Sequence, residues 1–435
     1  MRKIAIVGAG QSGLYLAHQL LDRGYDITLL TGQSTEEVRT GAPSVLQFTP
    51  PSVLAAERAA GLPVWAEHAP PIDRIRMQVR TPGGDAGFTG RFPGGHTISV
   101  DRRLKMADWL EVFKEKGEAT RRGRVITHGV TVSDLGYFTQ MFDLVVVAVG
   151  GGVLGELFDV DPGRQGGAHP RTIVQVYLDG DTVPGAEDGV VEVVAAQPGG
   201  ALAHGGEVFF APVLTHAGPG YGLMGLGHPG GPLDAALPRR ITDAQGREVA
   251  RHAIAPEHAV AILMEQVRVW APQIAERLRG ARPIGGRAVL VQQVNPVVRC
   301  PVGVLDSGAA VLGMADAVIT TGPLSGQTWA TSTRGAQAYA DRITARGERP
   351  FDREFMETAF DAFWEAHGRP AARFSEISHG IFPAHFPALL GAAGAVPEVA
   401  DRWAAGIDDP RTLTDWMFDA EHAHAYLTRV AAAHR

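Results

Sequence analysis

Gly8-Ala9-Gly10-Gln11-Ser12-Gly13 places three glycines at G-x-G-x-x-G spacing, directly after the apolar run Ile4-Ala5-Ile6-Val7 and at the start of a helical period. In that context the first glycine permits a tight turn, the second lets a pyrophosphate approach the backbone, and the third lets helix and strand pack closely. The helix start adds free N–H donors and a partial positive charge. A dinucleotide is therefore the expected ligand, cradled by Gly8, Gly10, Gln11, Ser12 and Gly13; a glycine-rich turn with no ligand is the alternative. One part of the fingerprint is missing. An acid ~20 residues on, at the end of the second strand, would hold the ribose hydroxyls, yet Thr31-Gly32-Gln33 stands there. Thr31 or Gln33 can exchange hydrogen bonds but not charge-assisted ones, which predicts loose cofactor retention.

A second glycine-rich turn, Gly322-Pro323-Leu324-Ser325-Gly326-Gln327, opens another helical stretch and brings several backbone N–H groups together. Pro323 has no N–H and offers only its carbonyl. Asp316 follows the strand-like Ala310–Gly313 and serves either as an acceptor for a ligand hydroxyl or as a turn cap. Other chemistry is poorly supported. Ser307 and Ser325 have no evident base, and His422 and His424 point to different faces of a helix. Cys300 is the only cysteine, which excludes an intramolecular disulfide and a cysteine-based metal site. No metal is expected.

The elements that must position these residues alternate between the two sequence periods. Strand, helix and strand over the first thirty residues make a βαβ unit. Pro- and Gly-rich sequence from Thr40 to about Ile98 reads as loops and short strands. Arg103–Lys116 reads as a helix, and Asp143–Val149 as a buried strand ending in Gly150. Short apolar alternations between Arg171 and Leu226 predict an antiparallel sheet, a helix follows over Val260–Val267, and helical spacing dominates after Phe351. At 435 residues the chain exceeds one ordinary core. The division expected is a dinucleotide-binding domain over 1–165 and 290–350, with 40–98 partly inserted elsewhere, a sheet domain over 166–289, and a helical subdomain over 351–435. A net charge of -7 argues against nucleic acid and anionic membrane as partners. The most apolar run, Leu144–Leu154, contains three glycines and falls short of the ~18 residues of a membrane span, so a cytoplasmic protein is expected.

Three features in order resemble the glutathione-reductase-like flavoprotein monooxygenases: Val100-Asp101-Arg102-Arg103-Leu104, the strand ending in Gly150, and Gly313-Met314-Ala315-Asp316 followed by Gly322–Gln327. The D-x-R-L form of the arginine motif, His204-Gly205-Gly206-Glu207-Val208, Pro296–Arg299 and Pro410–Trp416 are similar to the styrene and indole monooxygenase oxygenases. The resemblance implies an α/β fold: a Rossmann FAD-binding domain, a second antiparallel β-sheet substrate domain and a helical C-terminal subdomain. It implies FAD as cofactor, held also by Arg103, Val130, Gly150, Asp316, Pro323, Gly326 and Gln327. It assigns Pro323 and Leu324 to the reacting end, and Leu46, Gln47, Phe48, Leu324 and Thr331 to an apolar substrate. The activity implied is epoxidation or hydroxylation of an alkene or aromatic with O2 and reduced FAD from a separate NAD(P)H-dependent flavin reductase. A homodimer is compatible with it. The family usually carries an acid before this proline, where Gly322 stands, and an asparagine near Leu46.

Overall fold

The computed structural model describes residues 1–164, 169–184, 189–197, 204–242, 248–379 and 382–434. It opens with the βαβ unit: β1 (Lys3–Val7), α1 (Gln11–Asp22) and β2 (Asp26–Thr31), the strands parallel. Every residue of β1 after Lys3 is buried, as a parallel strand covered on both faces requires. Helices α2 (Thr35–Thr40) and α3 (Pro51–Ala59) then precede the hairpin β3 (Arg74–Thr81) and β4 (Gly84–Arg91). Helix α3 corrects the expectation of loops and short strands from Thr40 to about Ile98. In α3, Pro51 occupies the first turn, where its missing N–H costs nothing, and burial of Val53, Leu54 and Glu57 holds a helix too short to show a period.

The chain continues through α4 (Arg102–Thr120), β5 (Gly123–Thr127), α5 (Val132–Met141), β6 (Leu144–Val147), β7 (Arg171–Asp179), β8 (Val190–Ala196), β9 (Gly206–Thr215) and β10 (Gly218–Gly227). A small hairpin, β11 (Arg239–Thr242) and β12 (Glu248–His252), leads to α6 (Pro256–Trp270) and α7 (Pro272–Arg277). Short strands follow: β13 (Val289–Val294), β14 (Val297–Val298), β15 (Val302–Val304), β16 (Ala310–Gly313) and β17 (Ile319–Thr320). The remainder is helical, with α8 (Thr328–Arg346), α9 (Arg353–Phe363), α10 (Arg369–His379), α11 (Phe386–Ala395), α12 (Pro397–Asp408) and α13 (Ala420–Ala433). Among the described residues no helix is long and apolar enough to cross a membrane.

Two large sheets divide the strands. One has the order β15-β16-β6-β1-β2-β5, parallel except for β15. The carboxyl ends of β1, β2, β6 and β16 therefore share one edge, which gathers the glycine turn, Thr31, Gly150 and Asp316; ligands of such sheets bind at that edge. The other has the order β13-β7-β10-β9-β8-β3-β4 and is antiparallel except for the β3–β8 pair. β3 and β4 join it from the 40–98 segment. β13 joins it too, pairing Val289 with Val176, so the chain rejoins the first sheet at β15 rather than near residue 290.

Candidate active site

The turn after β1 admits only glycine at two places. Gly8 has φ +115°, and a Cβ there would lie 2.2 Å from the Ala148 carbonyl oxygen. At Gly13 a Cβ would lie 1.9 Å from the carbonyl oxygen of Gly8. No side chain caps α1 at Gly10, so the first-turn N–H groups are left to a ligand. The Ser12 hydroxyl is buried without a partner.

Two cavities adjoin at this edge. The first, about 300 Å³, is lined by Gly10, Thr31, Gln33, Ser44, Arg102 and Arg103, with no carboxylate on its wall. The second, about 430 Å³, is lined by Arg102, Gly150, Arg299, Asp316, Thr320 and Pro323, among others. Ser44 and Arg102 belong to both, so the cavity beside the glycine turn and the one beside the Pro323 turn are neighbours.

Arg102 is the junction. Its guanidinium lies 2.8 Å from where a Cβ on Gly10 would stand, which places the cation over the glycine turn. Burial lowers its pKa, and Asp316 raises it. Asp316 answers in kind: burial lifts its carboxyl above the usual carboxylate range, and Arg102 draws it down. Ala315, just before it, has φ +61°, a left-handed conformation that a non-glycine residue adopts at a cost. The backbone is thus held in strain where it presents this acid to the cleft. Arg103, which the resemblance gives to the cofactor, lines the first cavity but is tied down. Its Nε and Nη2 donate to Asp101, with a shortest contact of 2.6 Å, and its Nη1 donates to the carbonyls of Gly41 and Arg287.

A third, apolar space is lined by Val45, Leu46, Gln47, Phe48, Phe209, Met224, Pro323, Gly326 and Thr328, and shares Val45, Gln47, Pro323 and Thr328 with the 430 Å³ cavity. Its free volume is only about 10 Å³, about one water. Gln175 on β7 fixes its rim: its Oε1 accepts from Leu46 N–H at 2.5 Å and its Nε2 donates to the Ser44 carbonyl at 3.0 Å. Leu46 lies over Gly222 of β10, where a Cβ would come within 2.7 Å of the leucine Cδ1.

Comparison with known proteins agrees with this geometry. Residues 150–277 match a family model described as "Styrene monooxygenase A putative substrate binding domain". The chain is 23% identical over 377 residues to styrene monooxygenase StyA of Pseudomonas fluorescens, covering 82% of this chain and 80% of that one. A StyA from a Pseudomonas species is 22% identical over the same shares. Among solved structures, p-nitrophenol 4-monooxygenase PnpA from Pseudomonas putida DLL-E4 superposes with a TM-score of 0.59 at 13% identity, covering 94% of this chain and 99% of that one. The flavin-dependent brominase Bmp2 does so with 0.60 at 12%, covering 100% and 98%. The chain is similar to the styrene monooxygenases and is an FAD-dependent monooxygenase.

The residues fit that cofactor. An uncapped helix start, an unpartnered buried hydroxyl at Ser12 and the Arg102 cation over the glycine turn are what a diphosphate would satisfy. The enzyme uses several expected residues differently, however. The Gln11 side chain faces the interior: Nε2 donates to Glu57 at 3.0 Å and to Thr333 at 2.8 Å. Glu57 in turn accepts from Lys105 at 2.7 Å and from the Trp329 indole at 3.0 Å, a buried network joining α1, α3, α4 and α8. The Gln327 side chain donates to the carbonyls of Ser325 and Ile407. Thr31 closes its own turn, its hydroxyl donating to the Gln33 carbonyl at 3.0 Å.

The N–H groups of the 322–327 turn are largely engaged internally. Leu324 N–H donates to His379 Nε2, Ser325 N–H to the Gly322 carbonyl, and Gly326 N–H to the Pro323 carbonyl. Leu324 packs into the core of the seven-stranded sheet rather than lining the apolar space. Thr331 lies with Ser12, Asp316 and Thr328 around a small void under α8. Val130 packs against the core of the six-stranded sheet and lines none of these cavities. Sequence reading missed Arg102, Gln175, Phe209, Met224 and His379. Gln175 alone left a trace, as a lone amide inside the apolar run Ile173–Tyr177.

Proposed function

We propose that the enzyme takes reduced FAD from a separate NAD(P)H-dependent flavin reductase and uses it, with O2, to epoxidise or hydroxylate an apolar alkene or aromatic. The observation that carries this reading is the direct contact between the two kinds of cavity: the apolar space of Phe48, Phe209 and Met224 and the cleft of Arg102 and Asp316 share Pro323. Reduced FAD supplies the two electrons that activate O2, one oxygen atom entering the product and the other leaving as water. Protein groups do the rest. The N–H groups of Gln11, Ser12 and Gly13 and the guanidinium of Arg102 hold the diphosphate, and Asp316 accepts from a ribityl hydroxyl. Gly150 and the Pro323 turn bound the ring end. Arg103 acts through the rim, bracing Gly41.

The apolar walls exclude water from the reacting end, so that oxidation goes to substrate rather than to hydrogen peroxide. An aromatic ligand is accommodated when Leu46 leaves its place over Gly222, which opens the rim between Val45 and Phe48. The scheme needs no general base near the substrate. The test is rapid mixing of the FAD-loaded enzyme with NADPH in the absence of any reductase. The two-component reading requires the flavin to stay yellow; fast bleaching would make this a single-component NAD(P)H-dependent hydroxylase.

A further inference from the structure

His379 ends α10 with its side chain fully buried, far in sequence from the cleft yet against the turn that borders it. A Cβ at Gly322 would meet the ring at 2.2 Å from Cε1, 2.3 Å from Nδ1 and 2.4 Å from Nε2. The imidazole therefore occupies the place that a side chain at 322 would fill. Its Nε2 accepts the Leu324 N–H at 3.4 Å, while Ser375, one turn earlier on α10, accepts the Gly322 N–H at 2.7 Å. One helix end thus receives two N–H groups that flank Pro323, and the Ser325 and Gly326 N–H groups close the turn on itself.

We propose that His379 is a positioning residue for the flavin-facing turn, its ring standing in for a side chain at Gly322 and fixing the height of Pro323 against the cofactor. The inference rests on the FAD reading of the cleft. Chemistry and packing agree on the ring's state. Because Nε2 accepts, the ring proton sits on Nδ1, on the side of the Ser375 backbone. A second proton would point at the Leu324 N–H and face Arg171, itself paired with Glu207, and His228. Burial first, and Arg171 next, push the His379 pKa down to about 3, so the ring keeps its acceptor at working pH. Ser375 and the carbonyl that His379 gives to His169 N–H complete its surroundings.

Two independent sets of variants test this. Gly322→Ala inserts a methyl into the ring's space and should weaken FAD binding, read by flavin fluorescence quenching, by about tenfold; adding His379→Ala should restore it to within about threefold. The same cycle read by melting temperature should show the same rescue, with or without FAD. His379→Gln keeps an acceptor near the Nε2 position and His379→Leu keeps the volume alone. The first should form product per reduced FAD at close to the wild-type yield, whereas the second should divert about tenfold more of the flavin oxidation to hydrogen peroxide, with FAD affinity nearly unchanged. A Gly322→Ala variant that behaves as wild type, a double variant no better than the single, or equal yields from the Gln and Leu variants would overturn the assignment. Wild-type protein that fails to quench FAD fluorescence would sink the flavin reading instead.

Discussion

Replacing Arg102 by methionine separates cofactor binding from folding, because the two adjacent arginines have different work. Arg102 faces the cleft over Gly10 with Asp316 as its electrostatic partner, so its part in the apo fold is confined to that pair. A hydrogen bond to a charged group contributes roughly 1.5–3 kcal/mol. Arg102 is half-buried, and solvent screens part of this, so the lower part of the range applies: FAD affinity should fall about 10- to 50-fold. Melting of the apo protein should not change, or should rise slightly, since a desolvated cation has been removed. Arg103→Met does the opposite. It strips the fully buried Asp101 of its partner, a loss of about 3–5 kcal/mol of stability. The assay is anaerobic titration of reduced and oxidised FAD into each variant, paired with thermal melts. Full FAD affinity in Arg102→Met, or unchanged melting in Arg103→Met, would refute the division of roles.

The remaining predictions follow from the same site. Asp316→Asn should raise the melting temperature of the apo enzyme at about pH 8: a carboxyl whose folded pKa is raised makes stability fall as pH climbs from the ordinary carboxylate value to the raised one, and the amide removes that slope. Reduced FAD should bind the same variant more weakly, and titration checks both. Glu57→Leu should lower stability by about 3–5 kcal/mol in urea melts, because Lys105 is left buried without its counter-ion; a near-neutral result would show that the network relaxes freely. Burial lowers the His18 pKa from 6.5 to about 4. The unfolded chain therefore takes up a proton there first, and stability should drop as pH falls from 6.5 toward 4, with a smaller drop in His18→Asn. Gly222→Ala should push Leu46 into the apolar space and raise the KM for an aromatic substrate, while Leu46→Ala should admit bulkier ones; steady-state rates with a substrate series decide.

Local sequence carried the βαβ unit, the glycine turn, the strand into Gly150 and Asp316, because each depends on neighbours within one or two turns of chain. It does not show where a side chain with distant partners points. Gln11 reads as a phosphate-side residue from its place in the fingerprint, yet its amide is claimed by Glu57 and Thr333 across the core. Of Arg102 and Arg103 only the fold decides which one reaches the cleft, since Asp101 is adjacent to the first and two residues before the second but captures the second. Gly322 looks like a gap until His379, from another helix, is seen to fill it. The apolar space depends on register: Phe209 and Met224 are paired neighbours on β9 and β10, which alternation in either strand alone does not reveal.

The central claim is that one FAD lies along the cleft from Gly10 to Pro323 and oxidises a ligand held by Phe48, Phe209 and Met224. Supplying chemically reduced FAD and ¹⁸O₂ to the purified enzyme with styrene, indene or indole, and weighing the products, tests it directly. The account predicts a product carrying one ¹⁸O atom without any nicotinamide or reductase. Flavin oxidation that yields hydrogen peroxide alone, with every apolar substrate left unlabelled, would contradict it.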